Sequence, residues 1–183
     1  MLRITSLTLL ALVGCADDPV SYSSPVAINL KAESGAVNGT AISDEKGITT
    51  ESGNPYARFV SDARARLGRD PGRIEVDELT LTLGAQSEGV TTLDQVYAGD
   101  VDVLFLMNDS NNTYPVGRVA NPTGPGPVNV GVLLESNAVA DQDWSKFVGG
   151  NFKVVIRGSV ATDFANKGAK ADLQLTFTFA AFE

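Results

Sequence analysis

The segment Leu173-Gln174-Leu175-Thr176-Phe177-Thr178-Phe179, near the end of this 183-residue chain, alternates strictly between apolar and polar side chains. This period of two is typical of a β-strand with one face in a hydrophobic core and the other in solvent. The segment 152–160 has the same pattern, with Phe152, Val154 and Ile156 on one face. The end of the chain therefore predicts two strands of a half-buried sheet.

Other segments upstream carry strand patterns and are separated by turn-rich sequence. They are 25–31, 73–84, 100–107, 113–120 and 128–134. In 73–84 the apolar positions change parity near Asp77-Glu78, which predicts a β-bulge that returns both sets to one face. The segment 100–107 is the most apolar, and we expect it to be a central strand that is covered on both sides.

One amphipathic helix and one short helix are expected. In the first, Asn54 can cap the N-terminus, Pro55 suits the first helical position and Gly68 can end the helix. Its apolar stripe comprises Tyr56, Phe59, Val60, Ala63 and Leu67. The short helix begins at Asp141 as its cap, carries Trp144, Phe147 and Val148, and ends at Gly149-Gly150.

The segment 33–53 is rich in Gly, Ser, Thr and Asn and has no sustained periodicity. It favours a loop, with a short edge strand over 37–42 as the alternative. In total, about seven strands separated by frequent turns predict a mostly β, single-domain antiparallel β-sandwich or partly open barrel. The amphipathic helix would cover an end or an open face of it.

Composition excludes several classes of site. The chain has no histidine and one cysteine. A His-assisted catalytic triad, a His-ligated metal, an internal disulfide and a four-cysteine metal site are therefore excluded. The formal net charge of -8 argues against nucleic-acid binding, because phosphate contacts need an excess of Lys and Arg.

The first residues form a targeting signal. Arg3 precedes a mostly apolar run over 4–13, which is too short to span a bilayer but fits the core of a secretory signal. Gly14 and Cys15 follow directly. The residues Leu12-Val13-Gly14-Cys15 resemble the lipobox of bacterial lipoproteins and contain the only cysteine of the chain.

This resemblance implies a signal peptide over 1–14 that is cleaved before Cys15. It also implies a diacylglycerol on the Cys15 thiol and an N-acyl chain on the new amino terminus. Residues 15–24 would be the lipidated Cys and a polar tether, followed by a single domain over 25–183. Cleavage removes Arg3 and leaves 13 basic and 22 acidic side chains, a net side-chain charge of -9. The resemblance places the protein at the bacterial cell envelope. It favours the outer over the inner membrane, because Ala16 replaces the inner-membrane Asp signal.

Five of the eight arginines lie within sixteen residues. This arginine cluster comprises Arg58, Arg64, Arg66, Arg69 and Arg73. Only Asp62 and Asp70 offset them locally, which gives a local charge of +3. The cluster can be an anion-binding face for lipid phosphate, lipopolysaccharide or an acidic partner. Alternatively it is a solvated helix face held by ion pairs, since such pairs are common and individually weak.

Carboxylates recur in close pairs, namely Asp100 and Asp102, Asp141 and Asp143, and Glu75 and Asp77. Converging pairs can ligate calcium or hydrolyse a glycosidic bond. The turn 108–113 offers Asp109 and Asn111 as weak calcium candidates, but Tyr114 stands where an EF-hand loop needs Gly. Turn formation, capping and a soluble sheet face explain the same residues.

The sequence therefore favours a lipid-anchored, non-enzymatic module for binding, adhesion or assembly. Its partners would be the bacterial membrane, reached through the anchor, and an envelope protein or polysaccharide. A calcium-dependent adhesion module and a carboxylate-based envelope hydrolase are the alternatives. No catalytic residue and no cofactor besides the acyl chains is expected.

Overall fold

The computed structural model describes residues 20–49, 51 and 53–183. These residues form two antiparallel sheets and two α-helices. The helices are α1 (Pro55–Leu67) and α2 (Asp141–Val148). The strands are β1 (Ser21–Glu33), β2 (Ala41–Ile48), β3 (Arg73–Leu83), β4 (Tyr97–Met107), β5 (Thr113–Val119), β6 (Val128–Asn129), β7 (Gly131–Val132), β8 (Phe152–Val160) and β9 (Lys170–Phe182).

The two sheets pack face to face as a β-sandwich, which confirms the predicted fold class. One sheet has the order β1-β9-β3-β6 and the other β2-β8-β4-β5-β7. Within the described residues the sheets do not close into a barrel, so the sandwich alternative is the correct one. The most apolar strand, β4, is central in its sheet as predicted, with Val101, Val103 and Phe105 fully buried.

Strand β9 occupies the centre of the first sheet and is paired along both edges. On one side its register with β1 runs from Ser21 opposite Phe182 to Glu33 opposite Lys170. On the other side Arg73, the first residue of β3, is also opposite Phe182. The register with β3 shifts between Val76 and Glu78, which confirms the predicted bulge.

Strand β1 begins at Ser21, four residues before the predicted boundary at Pro25. The polar residues 21–24 belong to the sheet because their backbone pairs with the last residues of β9. The predicted tether over 15–24 is therefore too long at its C-terminal end. Backbone pairing, which composition does not reveal, decides this boundary.

The loop predicted over 33–53 is wrong, because β2 lies within it as the edge strand of the second sheet. The alternative, a short edge strand over 37–42, predicts the correct kind of element but places it too early, because β2 covers Ala41–Ile48. Only Ile42 and Ile48 are buried, whereas the strand carries Asp44, Glu45 and Lys46. Such charged residues are typical of edge strands, which must avoid pairing with other chains, and they hide the apolar period.

The predicted strand over 128–134 is divided between the two sheets. Its first part, β6, pairs with β3, and its second part, β7, pairs with β5. Between them the Val130 N–H donates to the Leu79 carbonyl at 2.8 Å. The segment thus crosses from one sheet to the other. This division and the additional strand β2 give nine strands in the described residues, where about seven are predicted.

Helix α1 confirms the predicted signals at both ends. The Asn54 side chain accepts a hydrogen bond from the Tyr56 N–H at 3.0 Å, and Pro55 occupies the first turn. Gly68 ends the helix in the left-handed region (φ 72°) and donates its N–H to the Arg64 carbonyl at 2.9 Å. All five residues of the predicted apolar stripe are buried.

An aromatic cluster joins the helices to both sheets. Its members are Tyr56 and Phe59 of α1, Phe147 of α2, Phe105 and Phe152 of the second sheet, and Phe177 and Phe179 of β9. Burying such rings dominates the energetics of a core of this size. The helix α2 lies where predicted, but Asp141 is not its cap. Ala140 precedes the helix, without a side-chain capping bond.

At the centre of this cluster the fully buried Tyr56 hydroxyl donates to the Phe147 carbonyl at 3.0 Å. This bond links the two helices directly. Burial raises the pKa of Tyr56 far above its usual value, so the hydroxyl stays protonated and remains a donor. None of the helices in the described residues is both long and apolar enough to cross a membrane.

We expect Tyr56→Phe to lower the free energy of unfolding by about 1 kcal/mol, since it removes one buried hydrogen bond without changing ring packing. Urea unfolding measures the loss. Tyr22→Phe is the matched control, because the Tyr22 hydroxyl donates to Asp62 at 3.3 Å in a half-exposed position. An equal or smaller loss for Tyr56→Phe than for Tyr22→Phe would contradict this role.

Candidate functional site

Several chain segments meet at one end of the sandwich, here called the helical end. Both β1 and β3 begin there, since Ser21 and Arg73 lie opposite the same residue of β9, Phe182. Neighbouring strands are about 4.8 Å apart, so Ser21 and Arg73 lie about 10 Å apart. The contact between Tyr56 and Phe147 brings α1 and α2 to this same end.

The arginine cluster lies at the helical end, on α1, on the turn after it and at the start of β3. Four of its five members form exposed ion pairs. The pairs are Arg58 with Asp62 (3.7 Å), Arg64 with Asp70, Arg69 with Glu183 (3.6 Å) and Arg73 with Glu75 (3.1 Å).

These ion pairs reduce the charge of the cluster. The five arginines and their four carboxylate partners together have a net charge of +1. Arg66 is exposed and has no ion-pair partner among the residues that the structure describes. The geometry therefore supports the solvated, ion-paired interpretation more than a preformed anion pocket. Exposed pairs are weak, so an incoming anion can replace a carboxylate partner.

A groove beside this cluster was not foreseen from the sequence. Two adjoining hollows of about 360 and 430 Å³ share Arg73, Ser136 and Asn137 in their walls. One continues to Asp141 and Trp144 of α2, and the other to residues of β3 and the segment after β7. We call this the Trp144 groove; its remaining lining residues are Gly72, Glu75, Val76, Leu134, Glu135 and Val139.

Trp144 and Arg73 are held in place by other aromatic rings. The Trp144 indole is half-exposed and packs on Phe147 of the aromatic cluster, with ring centroids 5.8 Å apart. The Arg73 guanidinium lies 4.2 Å from the centre of the Phe182 ring. A cation over an aromatic face is attracted by the ring, so Arg73 is fixed at the junction of the arginine cluster and the groove.

Asp143 is fully buried and connects α2 to the turn after β4. Its carboxylate accepts hydrogen bonds from the Ser110 hydroxyl (2.8 Å), the Asn112 amide (2.7 Å), the Tyr114 hydroxyl (2.9 Å) and the Lys146 ammonium (3.1 Å). The sequence showed Asp143 only as half of a carboxylate pair with Asp141. A buried carboxylate with four donors is instead a structural link, because those hydrogen bonds offset the cost of burying its charge.

The two calcium candidates lie in that same turn but do not contact Asp143. Asp109 and Asn111 are exposed and adopt left-handed backbone angles (φ 68° and 56°), as short polar residues do in turns. The alternate residues Ser110 and Asn112 bond Asp143. Calcium binding by Asp109 and Asn111 stays a prediction, and turn formation explains both residues.

One member of each remaining carboxylate pair is engaged by a basic side chain. Asp102 contacts Arg118 at 2.7 Å and Arg157 at 3.6 Å, across the outer face of the second sheet. Glu75 pairs with Arg73 of the same strand. In the part of the chain that the structure describes, no three His, Cys, Asp or Glu residues are grouped as a metal site would require.

The lipobox residues Leu12, Val13, Gly14 and Cys15 lie outside the described residues. No protein-family model matches the chain, and no curated protein matches it. The function must therefore be inferred from the residues of the chain itself.

Asp143 gives the site a defined pH dependence. The hydrogen bond from Asn112, with those from Ser110, Tyr114 and Lys146, lowers the pKa of Asp143 far below its usual value despite burial. A depressed native pKa stabilises the fold above the unfolded pKa of about 4, and this contribution is lost as pH falls below that value.

We therefore expect Asp143→Asn to be less stable than the wild type at pH 7, with the difference shrinking as pH falls from about 5 towards 2. Thermal unfolding across this range measures it. Asp141→Asn, an exposed neighbour on the same helix, is the matched control and should show no such gap. A gap that is constant with pH would show that the Asp143 charge contributes nothing.

Proposed function

We propose that this protein is a lipid-anchored, non-enzymatic binding module of the bacterial envelope, retained at the outer membrane. The observation that carries the proposal is the sequence Leu12-Val13-Gly14-Cys15, placed directly after a short apolar run. Two or three acyl chains on Cys15 would anchor the protein stably, whereas one chain binds a bilayer only reversibly.

The position of the anchor relative to the fold supports a defined orientation. Cys15 precedes the first residue of β1, Ser21, by six residues, which can extend at most about 20 Å. Since β1 begins at the helical end, the anchor holds that end close to the lipid headgroups. The opposite end of the sandwich then faces away from the membrane.

The arginine cluster has a role in this orientation. Held within reach of the headgroups, the guanidinium groups of the cluster bind lipid phosphates in place of any carboxylate partner, because arginine binds phosphate in a similar bidentate geometry. Arg73 is the exception, since it stays paired with Glu75 at the groove. The mature chain carries a net side-chain charge of -9, so the rest of the surface is repelled by anionic lipid. The cluster is the part of the surface that the membrane attracts.

The state of the acidic residues supports a binding role over the hydrolase alternative. A hydrolase needs two carboxylates in one pocket with pKa values pushed apart. Here Asp102 and Glu75 are paired with arginines, and Asp143 is enclosed by four donors. No contact in the described residues favours calcium-dependent adhesion over simple binding either.

Replacing the anchor residue tests the proposal directly. We expect Cys15→Ser to abolish incorporation of labelled palmitate in bacterial cells and to move the protein from the membrane fraction to the soluble fraction, because serine lacks the thiol that accepts the diacylglycerol. Ala16→Asp is the matched control, since it should keep the label and alter only the membrane in which the protein is found. Labelled Cys15→Ser protein, or unlabelled wild type, would overturn the proposal.

A further inference from the structure

The Trp144 groove has the shape of an open trough. Its two hollows share three lining residues, and a third hollow of about 330 Å³ lies farther along β3, lined by residues from Asp77 to Thr80 and from Asn129 to Val132. The stretch from Gly72, just before β3, to Thr80 covers about 25 Å at the usual strand rise. A trough of this length suits a linear polymer, whereas small ligands are usually enclosed in a single deep cavity.

The chemistry of the lining is that of a surface for hydroxyl-rich ligands. Trp144 offers a flat apolar surface and one N–H donor, on which the C–H face of a sugar ring can stack. Around it lie a guanidinium, an amide and several carboxylates, from Arg73, Asn137, Glu135 and Asp141. Such planar groups can form two parallel hydrogen bonds at once, as donors or acceptors, with the hydroxyl and acetamido groups of a sugar.

The charge of the lining restricts the class of polymer. The lining contains one arginine and three carboxylates, from Glu75, Glu135 and Asp141, so its net charge is -2. An anionic polymer, such as a phosphate-bearing or uronic-acid glycan, would be repelled. Arg73 itself is already balanced by Glu75 at 3.1 Å. Arg73 lines both hollows and disfavours a cationic polymer at their junction, so an uncharged ligand is the one that meets neither repulsion.

An extended peptide fits less well. A peptide would add to the free edge of β3, but this edge is interrupted by the bulge between Val76 and Glu78 and carries Glu75, Asp77 and Glu78. Bulges and charged residues are the features by which strand edges avoid further pairing. A glycan needs no strand pairing, so neither feature opposes it.

From these observations we infer that the Trp144 groove binds an uncharged linear polysaccharide of acetamido sugars. The acetamido group supplies a carbonyl for Arg73 and Asn137 and an N–H for the carboxylates. That this polymer belongs to the cell envelope rests on the proposed function, whereas binding itself does not depend on lipid attachment. The two can therefore fail separately.

The test uses the full chain with Cys15→Ser, which carries no lipid, and the hexamer of β-1,4-linked N-acetylglucosamine as the probe. Trp144 is the only tryptophan of the chain, so any change in tryptophan fluorescence reports on the groove itself. We expect a saturable change and blue shift on titration with the hexamer. Polygalacturonate, an anionic glycan of similar length, should bind at least about tenfold more weakly because of the negative walls.

Two exposed lining residues provide the variants. Asn137→Ala and Arg73→Gln should each weaken binding about tenfold, since each removes hydrogen bonds to the ligand. Arg64→Gln is the matched control, because Arg64 lies in the arginine cluster outside the groove, and it should bind as the wild type does. Circular dichroism verifies that all three variants are folded.

The inference is overturned by any of three results. These are no fluorescence change at millimolar hexamer, binding that both groove variants retain in full, and tighter binding of polygalacturonate or of an extended peptide than of the hexamer. Loss of lipidation in the cellular experiment together with hexamer binding here would reject the anchor and leave the groove assignment intact.

Discussion

The pairing of β9 on both edges is the constraint on which the rest of the structure depends. Over its 13 residues this strand pairs with β1 on one side and with β3 on the other. Its inward side chains Leu173, Leu175, Phe177 and Phe179 are fully buried. Because Phe182 faces both Ser21 and Arg73, the same strand brings together the start of the domain, the arginine cluster and the Trp144 groove. A shift of register by one residue would turn its aromatic side chains into solvent and separate these features.

The aromatic cluster extends this constraint from the sheets to the helices. Phe179 of β9 contacts Tyr56 with ring centroids 5.2 Å apart, and the Tyr56 hydroxyl then bonds to α2. Helix α2 in turn carries Trp144 into the groove and Asp143 into the hydrogen-bonded link with the turn after β4. The side chains that line the groove are thus fixed through the core. Preorganised groups of this kind lose little conformational entropy when a ligand binds, which favours recognition by an otherwise shallow surface.

Local signals in the sequence predicted the parts of the fold that local interactions decide. The alternation in β8 and β9, the Asn54 and Gly68 signals of α1 and the bulge near Asp77 all depend on neighbouring residues, and all are confirmed. The edge strand β2, the early start of β1 and the division of β6 from β7 depend on long-range pairing, which the sequence pattern does not reveal.

The same distinction between local and long-range interactions applies to the site. The arginine cluster and three of its four ion pairs are local. The pair of Arg69 with Glu183, the bonds of Asp143 to the turn after β4 and the groove instead join residues more than 30 positions apart.

The central claim is that the helical end faces the membrane, and resonance energy transfer to labelled lipid headgroups measures this most directly. In the proposed lipidated form Cys15 carries the acyl chains, so a donor dye can be attached through Arg66→Cys at the helical end or through Lys167→Cys, an exposed position beyond the opposite end of β9. The two ends of β9, near which these sites lie, are about 40 Å apart at the usual strand rise. In vesicles carrying the lipidated protein, the account predicts markedly stronger transfer from position 66 than from position 167. Equal transfer, or stronger transfer from position 167, would contradict it.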